Sequence, residues 1–149
     1  MKATRLKLLC RIGCLPVMDR VGREATPTWP KHHRTCPQCK ANKVEDVAHF
    51  ISECPAYSTH RKRLHTRVFK ALDTDDEVIG EAEFKRLDAK AQTRILLGQR
   101  IGNRVLEDSI DIHIKLYLTK AWNIRKPTTE AINRVMGTSY DVYPKPKLS

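Results

Sequence analysis

Acidic side chains are scarce in this sequence, and long apolar runs are missing altogether. Seventeen Asp and Glu stand against 28 Lys and Arg, a formal charge of +11 with a pI near 9.7. Such a field gathers polyanions, so RNA, DNA or an acidic surface is the expected class of partner. The longest apolar stretch, Leu8 to Met18, is interrupted by Arg11 and Pro16. It is too short to span a bilayer and no cleavage-site pattern follows it, so neither a membrane segment nor a secretory signal is expected. Without a signal peptide, the five cysteines point to a reducing compartment, and the chain reads as intracellular, cytoplasmic or nuclear. No segment alternates as a strand does, and no repeat recurs. Aromatic residues are few, yet 40 % of the chain is apolar. A chain of 149 residues can bury roughly 68–70% of its unfolded surface, enough for one core.

The surplus of positive charge is segmented. Residues 1–34 carry eight Lys and Arg against two acids, and Arg61 to Leu72 hold five bases and no acid. Between Asp73 and Glu83 lie six acids (Asp73, Asp75, Asp76, Glu77, Glu81, Glu83) and no base. Phe84 to Arg125 is basic again. The pattern reads as one domain over residues 1–149 with a solvated acidic loop inside it. Residues 1–33 would form an N-terminal helix and connector, 34–72 a metal loop plus a basic helix, and 84–137 a helical tail, with 140–149 frayed.

Periodicity gives the helices. Ala3 to Gly13 reads as amphipathic, with Leu6, Leu9, Cys10 and Ile12 inward and Gly13 and Pro16 ending it. Pro16 to Lys31, with Pro27, Trp29 and Pro30, reads as an extended connector. Asp46 is a suitable N-cap for a short helix from Val47 to about Glu53. Pro55 stops that helix at Cys54 and suits the first position of a longer one reaching about Leu72, with Tyr57, Leu64, Val68 and Leu72 inward. Phe84, Leu87, Ile95 and Leu96 indicate one or two short helices ending near Gly98. The strongest pattern is Leu106, Ile110, Ile114, Leu118 and Trp122, four residues apart within a helix over Gly102 to Arg125. Arg125 is placed in its last turn, and a separate, weaker helix covers Thr129 to Met136. The fold class is therefore mainly α, a small helical domain with an embedded loop of the zinc-knuckle (CCHC) kind.

That loop carries the chemistry. Cys36, Cys39, His49 and Cys54 spell C-x2-C-x9-H-x4-C. A C-x2-C turn sets two thiolates on one edge of a tetrahedron, and zinc favours four nitrogen or sulfur ligands in that arrangement. A C-x2-C alone would also suit a redox pair; the downstream His and Cys favour one structural zinc ion. The set is closed, with no position for a catalytic water. His49 and Cys54 are five residues apart, about 140° of rotation on an α-helix, and the break at Pro55 is expected to free Cys54 from that geometry. If Cys54 caps the helix starting at Pro55, the helix terminus favours its thiolate. Cys10 and Cys14 read as small core residues. His32, His33, His60 and His65 are surplus to a filled tetrahedron.

Arg34, Lys40, Lys43, Arg61, Lys62, Arg63, Arg67 and Lys70 lie around the loop and on the following helix, and are the candidate phosphate contacts. Such contacts supply affinity without sequence information. Trp29 and Tyr57 flank the loop, Tyr57 as a packing residue and Trp29 as packing or base-stacking. Asp108, Asp111 and Lys115 superficially form a nuclease-like carboxylate–lysine set, but they fall on a helix with an apolar stripe. No catalytic residue is therefore assigned.

The string Cys36-Pro-Gln-Cys39, then Val44-Glu-Asp-Val-Ala-His-Phe50, then Glu53-Cys-Pro-Ala-Tyr57 resembles the zinc-binding region that follows the polymerase in LINE-type (non-LTR) retrotransposon reverse transcriptases. Arg11-Ile-Gly13 with Leu15-Pro16, Phe84-Lys-Arg-Leu-Asp88, Leu96-Leu-Gly98 and Ala121-Trp-Asn-Ile-Arg125 are similar to its flanking segments. The resemblance covers most of residues 4–125 and is specific over 36–57. It implies Cys36, Cys39, His49 and Cys54 as zinc ligands in an appendage that helps hold template RNA or target DNA. No Tyr-x-Asp-Asp polymerase motif occurs, so a fragment of an element and a free-standing copy are both readings. A module that docks on a reverse transcriptase core or another partner, through the stripe from Leu106 to Trp122, is the alternative function.

Overall fold

The four-residue apolar repeat organises the molecule. The computed structural model describes residues 3–70 and 79–138, and its chain order is α1 (Ala3–Arg11), α2 (Met18–Glu24), a 3-10 turn (Lys31–His33), a π turn (His49–Glu53), a second 3-10 turn (Pro55–Tyr57), α3 (Ser58–Lys70), α4 (Glu81–Arg86), α5 (Ala89–Leu96) and α6 (Arg104–Met136). The described residues are mainly α-helical and contain no strand, only an isolated antiparallel bridge between Thr35 and Val44. None of the described helices is long and apolar enough to cross a membrane.

α6 is the axis. Asn103 caps it by accepting the Leu106 amide at 2.9 Å, satisfying one orphan donor of the helix start, and Glu107 accepts the Ile101 amide at 2.8 Å, which holds the chain just before the cap. Leu106, Ile110, Ile114, Leu118 and Trp122 are all buried, with Tyr117 and Ala121 beside them. Each such apolar side chain contributes roughly 1.5–3 kcal/mol when removed from water. α3 and α1 pack along α6. Ser109 donates to the Val68 carbonyl at 3.1 Å, and Lys7 pairs with Asp111 at 2.6 Å.

Several expectations are corrected. Ile12 is 58 % exposed, because α1 ends at Arg11 and Gly13 turns the chain at φ +67. The connector after Pro16 contains a helix, α2, whose signal is masked by Gly22. That glycine is there for proximity: a Cβ would meet Arg34 Cγ at 2.6 Å. The two C-terminal helices are one, since α6 runs 33 residues through Pro127. The face continues at Tyr117, Ala121, Arg125 and Thr129, each four apart and buried; it turns polar after Trp122, so the apolar pattern stops before the helix does. Arg125 is therefore mid-helix, not at the terminus. The basic helix likewise begins one turn later than expected, with Pro55–Tyr57 as a 3-10 entry to α3. Leu72, the acids from Asp73 to Glu77 and the tail from 140 lie outside the described residues.

α4 and α5 occupy the predicted stretch before Gly98, and Asp88 caps α5 through the Ala91 amide at 2.7 Å. Phe84 is buried under α3, with its ring 5.3 Å from that of His65 and 5.5 Å from that of Phe69.

Candidate metal centre

The loop closes on itself before it meets any helix. Across the Thr35–Val44 bridge, the Cys36 amide donates to the Lys43 carbonyl at 2.8 Å and the Glu45 amide to the Arg34 carbonyl at 2.9 Å. Asn42 takes the left-handed conformation, φ 53, at the turn, which Asn tolerates better than most residues. Asp46 then caps the next turn as expected, its carboxylate accepting the His49 amide at 2.7 Å. Residues 47–53 are helical as expected, but not as a plain α-helix. From His49 to Glu53 it is a π turn, in which the Cys54 amide reaches the His49 carbonyl at 2.7 Å. An i to i+5 bond brings residues five apart to one side, so the wide turn, rather than the proline break alone, sets His49 and Cys54 together.

The four ligand atoms lie within 4.8 Å of one another. Cys36 Sγ and Cys54 Sγ are 3.8 Å apart, and Cys39 Sγ is 3.4 Å from His49 Nε2. A tetrahedron with sulfur about 2.3 Å and nitrogen about 2.0–2.1 Å from its centre has edges of about 3.8 Å and 3.5 Å respectively. These two edges match such a tetrahedron, and Cys36, Cys39, His49 and Cys54 are close enough to hold an ion. Cys36, His49 and Cys54 are buried and Cys39 is half-buried.

Burial pushes the Cys54 thiol up to about 12 and raises Cys36 as well, with the Glu45 carboxylate adding to it. Opposing this, the backbone amides of Gln38 and Cys39 favour the Cys36 thiolate. The Ala56 amide, at the start of the Pro55 turn, favours that of Cys54, although no full capping bond closes there. A buried thiol otherwise keeps its proton, so a cation is what makes thiolates favourable here. His49 turns Nδ1 to Glu53 Oε2 at 3.3 Å, leaving Nε2 toward Cys39. A carboxylate behind a ligating imidazole fixes ring orientation and basicity.

The residues that lock this loop onto the helices were not legible beforehand. Glu45 and Arg125 form a fully buried pair, Nε to Oε1 at 2.6 Å and Nη2 to Oε2 at 2.9 Å. Glu45 also accepts the Met18 amide at 2.7 Å, and Arg125 donates to Thr129 Oγ1 at 3.1 Å. Gln38, inside the C-x2-C turn, donates to Thr128 Oγ1 at 2.6 Å. The loop is thus tied to α6 on both sides of Pro127, which accounts for helix continuing past a residue that lacks its amide donor. Tyr117 donates to the carbonyls of Phe50 and Ile51 at 2.9 and 3.0 Å. Phe50 packs edge-on against Tyr57 and Trp122, so Tyr57 is a packing residue. A Glu-Asp pair between the two ligand pairs, and an Arg continuing an apolar stripe, were the available signals.

The candidate phosphate contacts divide. Arg34 is buried, bonded to the Trp29 carbonyl and to Asp19 at 3.2 Å. Arg61 turns inward, donating to the carbonyls of Cys54 at 3.0 Å and Glu53 at 3.2 Å, which pins α3 to the end of the π turn. These two spend their guanidinium groups inside the protein. Lys40, Lys43, Lys62, Arg63, Arg67 and Lys70 are exposed, with Lys43 3.7 Å from Glu53. Cys10 is a buried α1 residue whose thiol is pushed up to about 12. Neither it nor Cys14 joins the cluster. His65 is buried, held by that burial and then by the nearby Lys85 and Arg61 at about 4. Asp111 is taken up by Lys7 and Lys115, at 2.6 Å each, on the flank of α6.

Comparison with family models, curated proteins and solved structures returned no match for this chain.

Proposed function

We propose that this chain is a zinc-organised nucleic-acid-binding module, holding RNA or DNA without catalysis of its own, in the manner its resemblance to the region behind LINE-type reverse transcriptases implies. The observation that carries the reading is the Cys36–Cys39–His49–Cys54 cluster, with its four ligand atoms within 4.8 Å. Three thiolates and an imidazole in a tetrahedron are soft and borderline donors, which suit zinc and disfavour calcium or magnesium. Through Cys54, Pro55 and Arg61 the same ion would order the start of α3, whose exposed Lys62, Arg63, Arg67 and Lys70 meet no acidic side chain within the helix. Positive side chains on a fixed frame release counterions on binding a phosphate backbone.

The alternative, docking through the stripe of α6, is weakened because Leu106, Ile110, Ile114, Leu118 and Trp122 are all spent in the protein's own core.

The test is affinity for single-stranded RNA and for duplex DNA across a salt series, with zinc-loaded wild type and Cys36→Ser. The expected result is binding that weakens steeply with salt, at a slope near −0.7 per phosphate contact on single strands and −0.9 on duplex, and that is impaired in Cys36→Ser. Zinc retention without affinity for either nucleic acid would remove the functional reading and leave the metal site standing.

A further inference from the structure

The groove where α3 crosses α6 has a composition that its structural role does not require. Its α3 side is His60, Arg63, Leu64 and Arg67, and its α6 side is His113, Leu116, Tyr117 and Lys120. Both sets follow the same i, i+3, i+4, i+7 spacing, which places each on one face of its helix. Buried Leu64 and Tyr117 form the floor. Every ionisable side chain on the two rims is a base, and no acid lines the groove. Among the described residues, no ion pair is made by Arg63, Arg67 or Lys120. His60 Nδ1 and His113 Nδ1 are buried atoms with no hydrogen-bond partner.

Three fixed cations around one groove repel each other. A larger cleft lies between α1, α5 and α6, but its Lys7, Arg11, Arg100 and Arg104 share it with Glu107 and Asp108, and Lys7 is already paired with Asp111. The α3–α6 groove brings cations of one sign together from two helices.

We propose that the mouth of this groove is a phosphodiester track, in which exposed Arg63 and Arg67 from α3 and Lys120 from α6 contact the backbone phosphates of a bound nucleic-acid strand. It rests on the nucleic-acid reading and extends it: contacts come from two helices, and Lys120 of α6 belongs to the binding surface. Arginine presents a planar fork to phosphate, whereas lysine acts as a point charge, so the arginine rim would fix strand direction and the lysine rim would add attraction.

The test uses the full zinc-loaded chain, a short oligo(U) RNA as probe, and a salt series for wild type, for Arg67→Gln with Lys120→Gln, and for Lys90→Gln with Arg134→Gln. The control pair is exposed and lies away from the groove. Zinc content and helicity establish that each variant is folded. The expected result is that the groove variant binds more weakly and that its log–log salt slope shrinks by about 1.4, two contacts at about 0.7 each, while the control keeps the wild-type slope. A groove variant with the wild-type slope, or a control that loses as much, overturns the track while wild-type binding preserves the nucleic-acid reading. Absence of binding by wild type itself overturns both.

Discussion

Cys54→Ser should leave a protein that no longer retains a stoichiometric metal ion and has lost the order of its central region. Cys54 is fully buried, and its sulfur stands 3.8 Å from that of Cys36. A serine hydroxyl is a poor substitute for a thiolate at a zinc site, and the change also strands the remaining ligands in a site closed to water. Within the loop itself there is one isolated bridge, the turn at the Asp46 cap and a few backbone bonds; its ties to α6 run through Glu45 and Gln38, which are not ligands. Metal binding in zinc-finger peptides contributes roughly 10–16 kcal/mol, comparable with the total stability of an ordinary domain of about 5–15 kcal/mol. The loss should therefore reach beyond the ligand and loosen the π turn, the start of α3 and the Gln38–Thr128 contact. Metal analysis with circular dichroism on the purified variant reads both effects. Cys14→Ser, outside the cluster, should keep its ion and its helicity; equal loss in that variant would show that the effect belongs to thiols in general.

Arg125→Met carries the second large effect. The Glu45–Arg125 pair is 0 % exposed on both sides, and removing one member of a buried pair leaves an uncompensated charge that costs about 3–5 kcal/mol. For a domain of this size that corresponds to a fall in melting temperature of roughly 6–20 °C. Glu45 also receives the Met18 amide and stands beside the metal loop, so α2, the loop and the second half of α6 should loosen together. Adding Glu45→Gln to Arg125→Met should restore part of the loss, because the stranded charge is removed; thermal unfolding of the two single variants and the double measures the coupling. Independent, additive losses would mean that the pair does not act as the tie between loop and helix.

The contrast between Cys54 and Arg125 marks where the sequence was informative. Ligand spacing is a chemical constraint written in residue identity, so Cys36, Cys39, His49 and Cys54 could be grouped from their order alone. The stripe from Leu106 to Trp122 was equally plain, since burial of a helical face imposes its own period. The Asp46 cap also followed from local rules. The continuation of α6 did not, because its inward face changes from apolar to Arg125 and Thr129, and a buried arginine has no signature until its partner, 80 residues away, is brought beside it. Pro127 argued locally for a break that contacts with Gln38 and Glu45 override. The π turn was hidden for a related reason: its hydrogen bond skips one residue more than an α-helix does, and only the need to bring His49 and Cys54 together hints at it. Arg34 and Arg61 were grouped with the surface bases because a guanidinium has the same appearance in sequence whether it meets phosphate or a backbone carbonyl.

The most direct measurement of the central claim is a chelator titration of the purified full chain, following bound zinc, helicity and the thermal transition together. The expected result is one zinc ion per chain, loss of helical signal and of the cooperative transition in step with its removal, and recovery of both when zinc is returned. A metal-free chain with undiminished helicity and an unchanged transition would contradict it.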